Sequence, residues 1–274
     1  MNWPAVQRAQ LRDDAARLPF FLGQHRVGSV ARQHLPVLAA TWPGCLQLSS
    51  SALVLVGDNP AAAWARINAA LHEQGLVRGW RNELCAVNGL DNGHMLARIE
   101  RAAARLWGTL TLGAHATGFV AGADGRPSHL WIARRALAKS TDPGLLDNLV
   151  GGGVPAGQTP WQALVREGWE EAGLTTAQME TATAGHVIRL HRDVPEGLQL
   201  EDLHCHDLQL PAGLVPCNQD GEVGAFECLP LQEALALAAS QQMTVDASLV
   251  TLDFALRHGL CAAPAGAAQL MRSA

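Results

Sequence analysis

Tyrosine is absent from this chain of 274 residues, and so are several patterns that assign a protein to a class. The six cysteines include no Cys-x-x-Cys pair, which argues against a zinc clip or a disulfide framework and favours free thiols in a reducing compartment. The N-terminus lacks a basic segment followed by an apolar stretch, and no apolar run approaches the length of a membrane span. We therefore expect a cytoplasmic protein that does not bind membranes.

Charged residues are also scarce, at 16% of the chain against 48% hydrophobic residues, which allows a sizeable core and excludes global disorder. The net charge of −5, without any basic run, argues against binding to nucleic acid. The glycine run at 151–153 lacks the lysine of an ATPase phosphate-binding loop, and no Gly-x-Ser-x-Gly motif indicates a serine hydrolase. The expected partner is a small molecule.

What the chain does contain is a glycine-rich loop that leads into a helix with three carboxylates, in residues 152–174. Glu167, Glu170 and Glu171 stand at i, i+3 and i+4, within roughly 100° of arc on one helical face. Like charges at this spacing repel by roughly 0.2–0.5 kcal/mol per pair, so a hard cation would compensate them. The apolar residues on a different arc are predicted to face a core: Trp161, Leu164, Val165, Trp169 and Ala172. The segment therefore predicts a metal site beside a buried face.

The ends of this helix are well defined by the sequence. Thr159 and Gln162 have the spacing of a capping box, and Gly173 is placed to end the helix in the left-handed conformation. Arg166 precedes Glu170 by four residues and can orient its carboxylate. A solvated acidic surface helix is the alternative, and the loop, the caps and the arginine together disfavour it.

The segment resembles the signature of the Nudix hydrolases, Gly-x5-Glu-x7-Arg-Glu-U-x-Glu-Glu-x-Gly-U, in which U is a bulky aliphatic residue. Seven positions match at the correct spacing: Gly152, Arg166, Glu167, Glu170, Glu171, Gly173 and Leu174. Two depart, because Gln158 replaces the first glutamate and Gly168 replaces the aliphatic residue. Glycine in a helix costs about 1 kcal/mol relative to alanine, so we expect a close backbone contact at Gly168.

The resemblance implies that Mg²⁺ or Mn²⁺ is held by Glu167, Glu170 and Glu171, and that a backbone carbonyl of Gly152 or Gly153 completes the shell. Many Nudix enzymes supply a further acid from downstream. We expect Glu222, which follows the tight turn at Asp220-Gly221, to take that position; a solvated turn residue is the alternative. We expect Glu167, Glu171, Glu222 and Arg166 to be catalytic. Either Glu167 or Glu222 is a credible general base, and the number of metal ions stays open.

Three cations lie just upstream of the glycine loop. Arg134, Arg135 and Lys139 have the charge that a diphosphate requires, and arginine binds phosphate oxygens in bidentate fashion. Arg135 resembles the arginine that often ends this strand in Nudix domains. We expect all three to bind substrate; a solvated strand end is the alternative for each.

The organisation of the chain favours two modules. We expect an accessory α+β domain at 1–110, a Nudix α/β/α sandwich with a mixed sheet at 111–262, and a flexible tail at 263–274. Helices are predicted at 3–18, 60–74, 94–106, 231–240 and 246–258. Strands are predicted in 45–56, 114–121, 129–135, 186–190, 203–210 and 221–228.

The segments 130–135, 143–148, 151–157 and 218–223, together with Lys139, resemble the Nudix subfamily related to thiamine pyrophosphokinase, which carries an extra N-terminal domain. This resemblance implies hydrolysis of damaged thiamine diphosphates, the oxo and oxy forms, to the monophosphate. The alternatives are a hydrolase of nucleoside diphosphate derivatives such as ADP-ribose or sugar nucleotides, and a noncatalytic binder, suggested by Gln158. An isopentenyl diphosphate isomerase is disfavoured because the early strands lack its cysteine motif. The protein is expected to be a monomer or a homodimer.

Overall fold

The computed structural model describes residues 2–273, and the first part of the chain combines short helices with short strands. Single turns of 3-10 helix at Asp14–Ala16 and Arg32–His34 connect some of them. The elements are α1 (Pro4–Arg8), β1 (Arg17–Leu22), β2 (His25–Ala31), α2 (Leu35–Thr41), β3 (Leu46–Leu48), β4 (Leu53–Leu55), α3 (Pro60–Glu73), β5 (Leu84–Asn88), β6 (Met95–Glu100) and α4 (Arg101–Trp107).

The elements from β1 through α4, here called the accessory module, enclose a core of their own. Four strands form a sheet in the order β2-β1-β4-β3, and β5 and β6 form a separate antiparallel hairpin. Three aromatic rings meet in the core: Phe20 lies 5.2 Å from Trp64 and 4.6 Å from Trp107, measured between ring centroids. Such aromatic pairs add to the stabilisation that burial alone provides.

The second part of the chain has longer strands. Its elements are β7 (Leu110–Ala121), β8 (Pro127–Arg135), β9 (Leu146–Asp147), β10 (Val150–Gly153), α5 (Pro160–Ala172), α6 (Thr176–Met179), β11 (Thr183–Val194), β12 (Gly197–Gln209), β13 (Val223–Pro230), α7 (Leu231–Ala238), α8 (Val245–Arg257), α9 (Ala267–Leu270) and β14 (Met271–Arg272). These elements are here called the sandwich module.

An eight-stranded mixed sheet forms the middle of the sandwich module. Its path is β13-β8-β7-β12-β11-β14, with β10 paired to β7 and β9 paired to β8. The β7–β12 pair is parallel and the other pairs are antiparallel. Because β7 and β12 lie inside the sheet, their side chains are buried on both faces over most of their length.

Helices cover both faces of this sheet. The core on one side includes Leu235 of α7 and Phe254 of α8, and the core on the other includes Leu164 of α5 and Met179 of α6. The architecture is therefore the α/β/α sandwich with a mixed sheet that the sequence predicts, preceded by a smaller α+β unit. This arrangement places the glycine strand β10 directly under α5.

Most predicted elements are present, but two predictions are wrong in the accessory part. Only Pro4–Arg8 of the predicted helix at 3–18 is α-helical. Trp3, which caps this helix, and Val6 within it pack into the core of the sandwich module. The predicted helix at 94–106 begins as strand β6, whose Ala97 and Ile99 are buried at the two-residue period of a strand. The predicted boundary at residue 110 stays a prediction.

The C-terminal segment, which the sequence predicts to be a flexible tail at 263–274, has defined structure up to Arg272. Ala267 and Leu270 of α9 are buried, and β14 pairs with Val187 and Ile188 of β11. Within residues 2–273, no helix is long and apolar enough to cross a bilayer.

Candidate active site

Helix α5 has the ends that the sequence predicts. The Thr159 side chain accepts a hydrogen bond from the Gln162 backbone N–H at 3.2 Å, and the Gln162 side chain accepts one from the Thr159 N–H at 2.9 Å. Gly173 closes the helix at φ +66°. These caps fix where α5 begins and ends, and so fix which residues face the sheet.

The buried face of α5 differs in part from the prediction. Leu164 and Ala172 are buried as expected, but Trp161 and Trp169 are 36% and 54% exposed. The helix instead turns Ala163, Glu167 and Glu171, which are spaced by four, towards the glycine strand β10. The buried face of α5 therefore includes two carboxylates, whereas the apolar arc predicts that it includes Trp161 and Trp169.

Gly168 explains how α5 comes so close to its neighbour α6. A Cβ at this position would lie 2.5 Å from the sulfur of Met179, a side chain with no exposed surface. The expected close contact is present, and Met179 occupies the space that an aliphatic side chain at 168 would need.

Glu171 lies deepest in the carboxylate cluster. Its Oε2 accepts a hydrogen bond from the Gly151 N–H at 2.8 Å, and its Oε1 lies 3.5 Å from the Lys139 ammonium. Burial raises the pKa of Glu171 to about 8, although the charge of Lys139 opposes this shift. A carboxylate in this position is strained electrostatically, and a bound cation would relieve that strain.

The side chain of Glu167 extends from α5 towards the glycine strand. Its Oε1 accepts a hydrogen bond from Arg166 at 2.8 Å, and the same guanidinium reaches Glu170 Oε2 at 2.5 Å, as the i, i+4 spacing predicts. Burial raises the pKa of Glu167, while Arg166 works against the shift. Any Cβ on Gly152 would overlap the Glu167 carboxylate, so only glycine allows this approach.

Glu222 reaches the cluster from the sheet, as the sequence predicts. Its N–H donates to Asp220 Oδ1 at 2.8 Å in the turn before β13, and its Oε2 forms an ion pair with Lys139. Its Oε1 lies 3.6 Å from Arg81 of the accessory module. Although burial would raise it, the pKa of Glu222 is lowered by its hydrogen bond to Lys139 and by both cations.

The three predicted phosphate-binding cations have different positions. Lys139 lies between Glu171 and Glu222, and its side chain is 8% exposed. Arg135 lines the cavity but is held by Asp147 at 2.7 Å and by the carbonyl oxygen of Thr141 at 2.8 Å. Arg134 does not line the cavity.

The prediction for Arg134 finds no support in the geometry. Its guanidinium donates to the Gly144 carbonyl oxygen at 3.2 Å and lies 3.6 Å from Glu227 of β13. Successive residues of a strand point to opposite faces, so Arg134 and Arg135 cannot both face the cavity.

A cavity of about 250 Å³ connects these groups. Glu167, Glu170, Glu222 and Gly152 line it, and Glu171 lies behind Lys139 in an adjoining recess. Gln158, which replaces the first glutamate of the signature, does not line the cavity, and its buried Oε1 finds no hydrogen-bond partner among residues 2–273. The structure therefore places Glu167, Glu170 and Glu222 on the cavity and Glu171 in the recess beside it.

These residues fit a hard divalent cation by their donor set. Four carboxylates and the Gly152 backbone supply oxygen atoms, which Mg²⁺ and Mn²⁺ prefer. In the side-chain arrangement described for residues 2–273, no three such groups converge on one point, because Arg166 and Lys139 are paired with the carboxylates. Binding a cation requires these ion pairs to rearrange.

Several cavity residues are not predicted from the sequence. One of them is His115 of β7, which faces the glycine strand and whose Nδ1 lies 3.1 Å from Asn148 Oδ1. The Asn148 amide nitrogen donates to Thr251, so Asn148 Oδ1 is an acceptor and His115 Nδ1 is assigned as the donor. Others belong to the accessory module: Arg78, Arg81, Glu83, Arg101 and Arg105. The concentration of charge at 78–83, in a chain with few charges, is the signal that could have identified some of them.

Comparisons with known proteins agree with this geometry. A family model described as the NUDIX domain matches residues 111–248, and a second, described as a domain of unknown function (DUF4743), matches residues 3–111. The chain is 40% identical to two Arabidopsis thaliana proteins, Nudix hydrolase 24, chloroplastic, over 200 residues and Nudix hydrolase 20, chloroplastic, over 204 residues. It is 30% identical over 195 residues to an uncharacterised protein of Saccharomyces cerevisiae.

The alignments cover more of this chain than of its relatives. They include 72%, 74% and 67% of the chain, but 54%, 54% and 56% of the respective relatives. The chain thus spans about half the length of the curated relatives that it matches.

Proposed function

The chain belongs to the Nudix family, and from this premise we propose that it is a metal-dependent hydrolase that cleaves a diphosphate linkage. The observation that supports this most strongly is the position of Glu167, Glu170, Glu222 and Gly152 along one polar cavity, with Glu171 in an adjoining recess. A diphosphate is the class of substrate whose charge matches a cavity with both a metal-binding cluster and arginines.

In this proposal Glu167, Glu170, Glu171 and Glu222, with a carbonyl of Gly152 or Gly153, hold Mg²⁺ or Mn²⁺. When bound, such a metal would neutralise charge on the diphosphate and would lower the pKa of the attacking water. Arg166 fixes the orientation of Glu167 and Glu170 through its two hydrogen bonds. Another arginine of the site, Arg135, holds the Asp147 side chain and the loop at Thr141.

We assign the general base to Glu167. Both oxygens of Glu222 face cations, Arg81 and Lys139, whereas only Oε1 of Glu167 has a hydrogen-bond partner within the described residues. The free Oε2 can take the proton from water as the water oxygen attacks phosphorus. The bridging P–O bond breaks, and its electron pair leaves with the departing phosphate.

For the substrate we propose a damaged thiamine diphosphate, the oxo or oxy form, hydrolysed to its monophosphate. The support is the sequence resemblance at 130–135, Lys139, 143–148, 151–157 and 218–223, together with the additional N-terminal module. Nucleoside diphosphate derivatives are the second candidate. A cytoplasmic location stays a prediction, and the word chloroplastic in the names of two relatives describes those proteins.

The test is a hydrolysis assay of the purified chain with Mg²⁺ or Mn²⁺ on oxothiamine, oxythiamine and thiamine diphosphates, ADP-ribose, a sugar nucleotide and 8-oxo-dGTP. We expect the highest kcat/KM with the oxo and oxy forms, and incorporation of one ¹⁸O atom from labelled water into a phosphate product. A preference for ADP-ribose would replace the thiamine proposal with the nucleotide alternative. Binding without turnover of any substrate would contradict the hydrolase and support a noncatalytic binder.

The variant Glu171→Gln provides the matched loss-of-function control. We expect it to lower kcat by about 100-fold or more because one carboxylate of the metal cluster is lost. Glu180→Gln, an exposed residue beyond α6, should retain full activity. Equal activity of both variants would remove Glu171 from the site.

A further inference from the structure

The cavity is enclosed by two modules, and one of its walls is a loop of the accessory module. This loop, residues 75–83 between α3 and β5, is here called the accessory loop. It contributes Arg78, Gly79, Arg81 and Glu83 to the lining of the cavity. A Cβ on Gly79 would lie 3.1 Å from the hydroxyl of Ser140, so the accessory loop lies directly against the loop that carries Lys139.

Hydrogen bonds from three sides hold the accessory loop in position. The Arg81 N–H donates to the buried Glu100 carboxylate at 3.1 Å. The Arg101 N–H donates to the Glu83 carbonyl oxygen at 2.8 Å. Immediately beyond the loop, the Leu84 carbonyl oxygen accepts from the Ala156 N–H at 2.7 Å, which joins β5 to the segment after the glycine strand. The loop is therefore fixed relative to Gly152 and Glu167.

Arg101 has a structural role in this wall. Its guanidinium contacts Glu83 at 3.1 Å and lies so close to Gly153 that any Cβ there would overlap it. Burial is the largest single effect on its pKa and lowers it, but the pKa is raised overall because the hydrogen bond to Glu83 and the charges of Glu83, Cys85 and Glu201 together outweigh burial. Arg101 is thus held in an ion pair with Glu83 and packs against Gly153 at the end of β10.

Arg78 and Arg81 are different, because their guanidinium groups are available to a ligand. Arg78 is exposed, its Nε donates only to the Gly75 carbonyl oxygen at 3.3 Å, and it has no ion-pair partner in the part of the chain that the structure describes. The guanidinium of Arg81 has one ion-pair contact within the described residues, to Glu222 Oε1 at 3.6 Å, and this is a loose contact between two partly exposed side chains. Both line the same cavity as the carboxylates of α5.

We propose that Arg78 and Arg81 form the anion-binding wall of the active site and bind the phosphate oxygens of the diphosphate substrate. Planar guanidinium groups match phosphate oxygens in bidentate geometry, and they offset the repulsion between the substrate and four nearby carboxylates. The inference rests on the proposed function for its ligand class. It gives the accessory module a direct part in substrate binding.

The experiment measures binding separately from turnover. The probe is methylenediphosphonate, a nonhydrolysable diphosphate analogue, titrated calorimetrically into the full chain with Mn²⁺ present. We expect Arg78→Ala and Arg81→Ala each to weaken its binding by about tenfold or more, as charge-assisted hydrogen bonds to a phosphate oxygen imply. Arg78→Glu should weaken it further, and KM should rise more than kcat falls in the hydrolysis assay.

Arg66→Ala, on the exposed side of α3 in the same module, is the matched control and should bind the probe as the unchanged chain does. Arg81→Lys tests whether a positive charge without the guanidinium group is enough for binding. Thermal melting identifies any variant that fails to fold. Because Arg78 is exposed, its substitution is expected to leave the fold intact, so the test can be read from Arg78→Ala even if Arg81→Ala does not fold. Binding by both alanine variants equal to that of Arg66→Ala would overturn the inference, as would absence of probe binding by the unchanged chain. If the unchanged chain binds the probe through these arginines but hydrolyses nothing, the hydrolase proposal fails and this inference stands.

Discussion

The Glu167 carboxylate lies where a Cβ on Gly152 would have to be, so the two residues are in direct contact. The glycine belongs to β10 and the glutamate to α5, so the contact sets the distance between the helix and the sheet at the carboxylate cluster. A requirement for glycine at this position therefore follows from packing, in addition to any role of its carbonyl group.

The variant Gly152→Ala tests this relationship. Its methyl group must displace the Glu167 carboxylate, and a displacement of about 1 Å at a reacting group costs on the order of 100-fold in rate. We expect kcat to fall by that amount while circular dichroism shows a folded protein. Gly44→Ala is the control, because a Cβ at Gly44 meets no atom within 4 Å. Full activity in Gly152→Ala would show that Glu167 is free to move aside.

The pH dependence of stability should reveal Glu171 when metal is removed with EDTA. The pKa of this carboxyl is about 8 in the folded chain, above its ordinary value of 4.5, so the folded state binds its proton more tightly. The resulting stabilisation is fully present below pH 4.5 and is lost as pH rises through 8. Glu171→Gln stays neutral, so its stability relative to the unchanged chain should rise across this window.

The slope of that difference should be at most about 1.4 kcal/mol per pH unit, measured by urea unfolding at pH 5, 6, 7, 8 and 9. Adding Mg²⁺ should reverse the order, because a ligand that binds only the folded state stabilises it, and the variant lacks one carboxylate. Parallel stability curves for the two proteins without metal would contradict the raised pKa.

A third prediction concerns the departure from the Nudix signature at Gly168. Gly168→Leu restores the aliphatic residue but collides with Met179, which is fully buried. Overpacking of this kind costs about 1–3 kcal/mol. Met179→Ala alone should also destabilise, by leaving a cavity, whereas the double variant should recover most of the loss. Additive destabilisation in urea unfolding would show that the two positions do not share one space.

The sequence predicts the helix α5, its caps and its carboxylates because these are local: the Thr159–Gln162 box and the Arg166–Glu170 pair lie within a few residues of each other. The accessory loop is not predicted, because Arg81 reaches Glu222 across 141 positions of sequence, and no local pattern encodes such a contact. The exposure of Trp161 is missed because the buried face of α5 is set by its packing against β10, and helical periodicity alone does not encode that contact.

A network of buried charges on α8 should contribute to stability and not to catalysis. Arg257 donates to Asp253 at 2.9 Å and to Asp207 at 2.6 Å, and both carboxylates are buried. His186 and His258 contact the same two carboxylates, at 2.6 and 2.9 Å. None of these side chains lines the cavity.

Arg257→Met leaves two buried carboxylates without their main cation, which should cost about 3–5 kcal/mol. Arg12→Met is the matched control: it removes the more exposed pair with Asp14, and such pairs contribute about 1 kcal/mol or less. Urea unfolding measures both losses, and activity per folded molecule should be unchanged in each variant. If Arg257→Met lowers the free energy of unfolding no more than Arg12→Met does, the charge network is exposed to water in solution and the prediction is wrong. If Arg257→Met lowers kcat at equal folded fraction, the network also affects the cavity, through a shift of α8 that moves Asp246 near its other end.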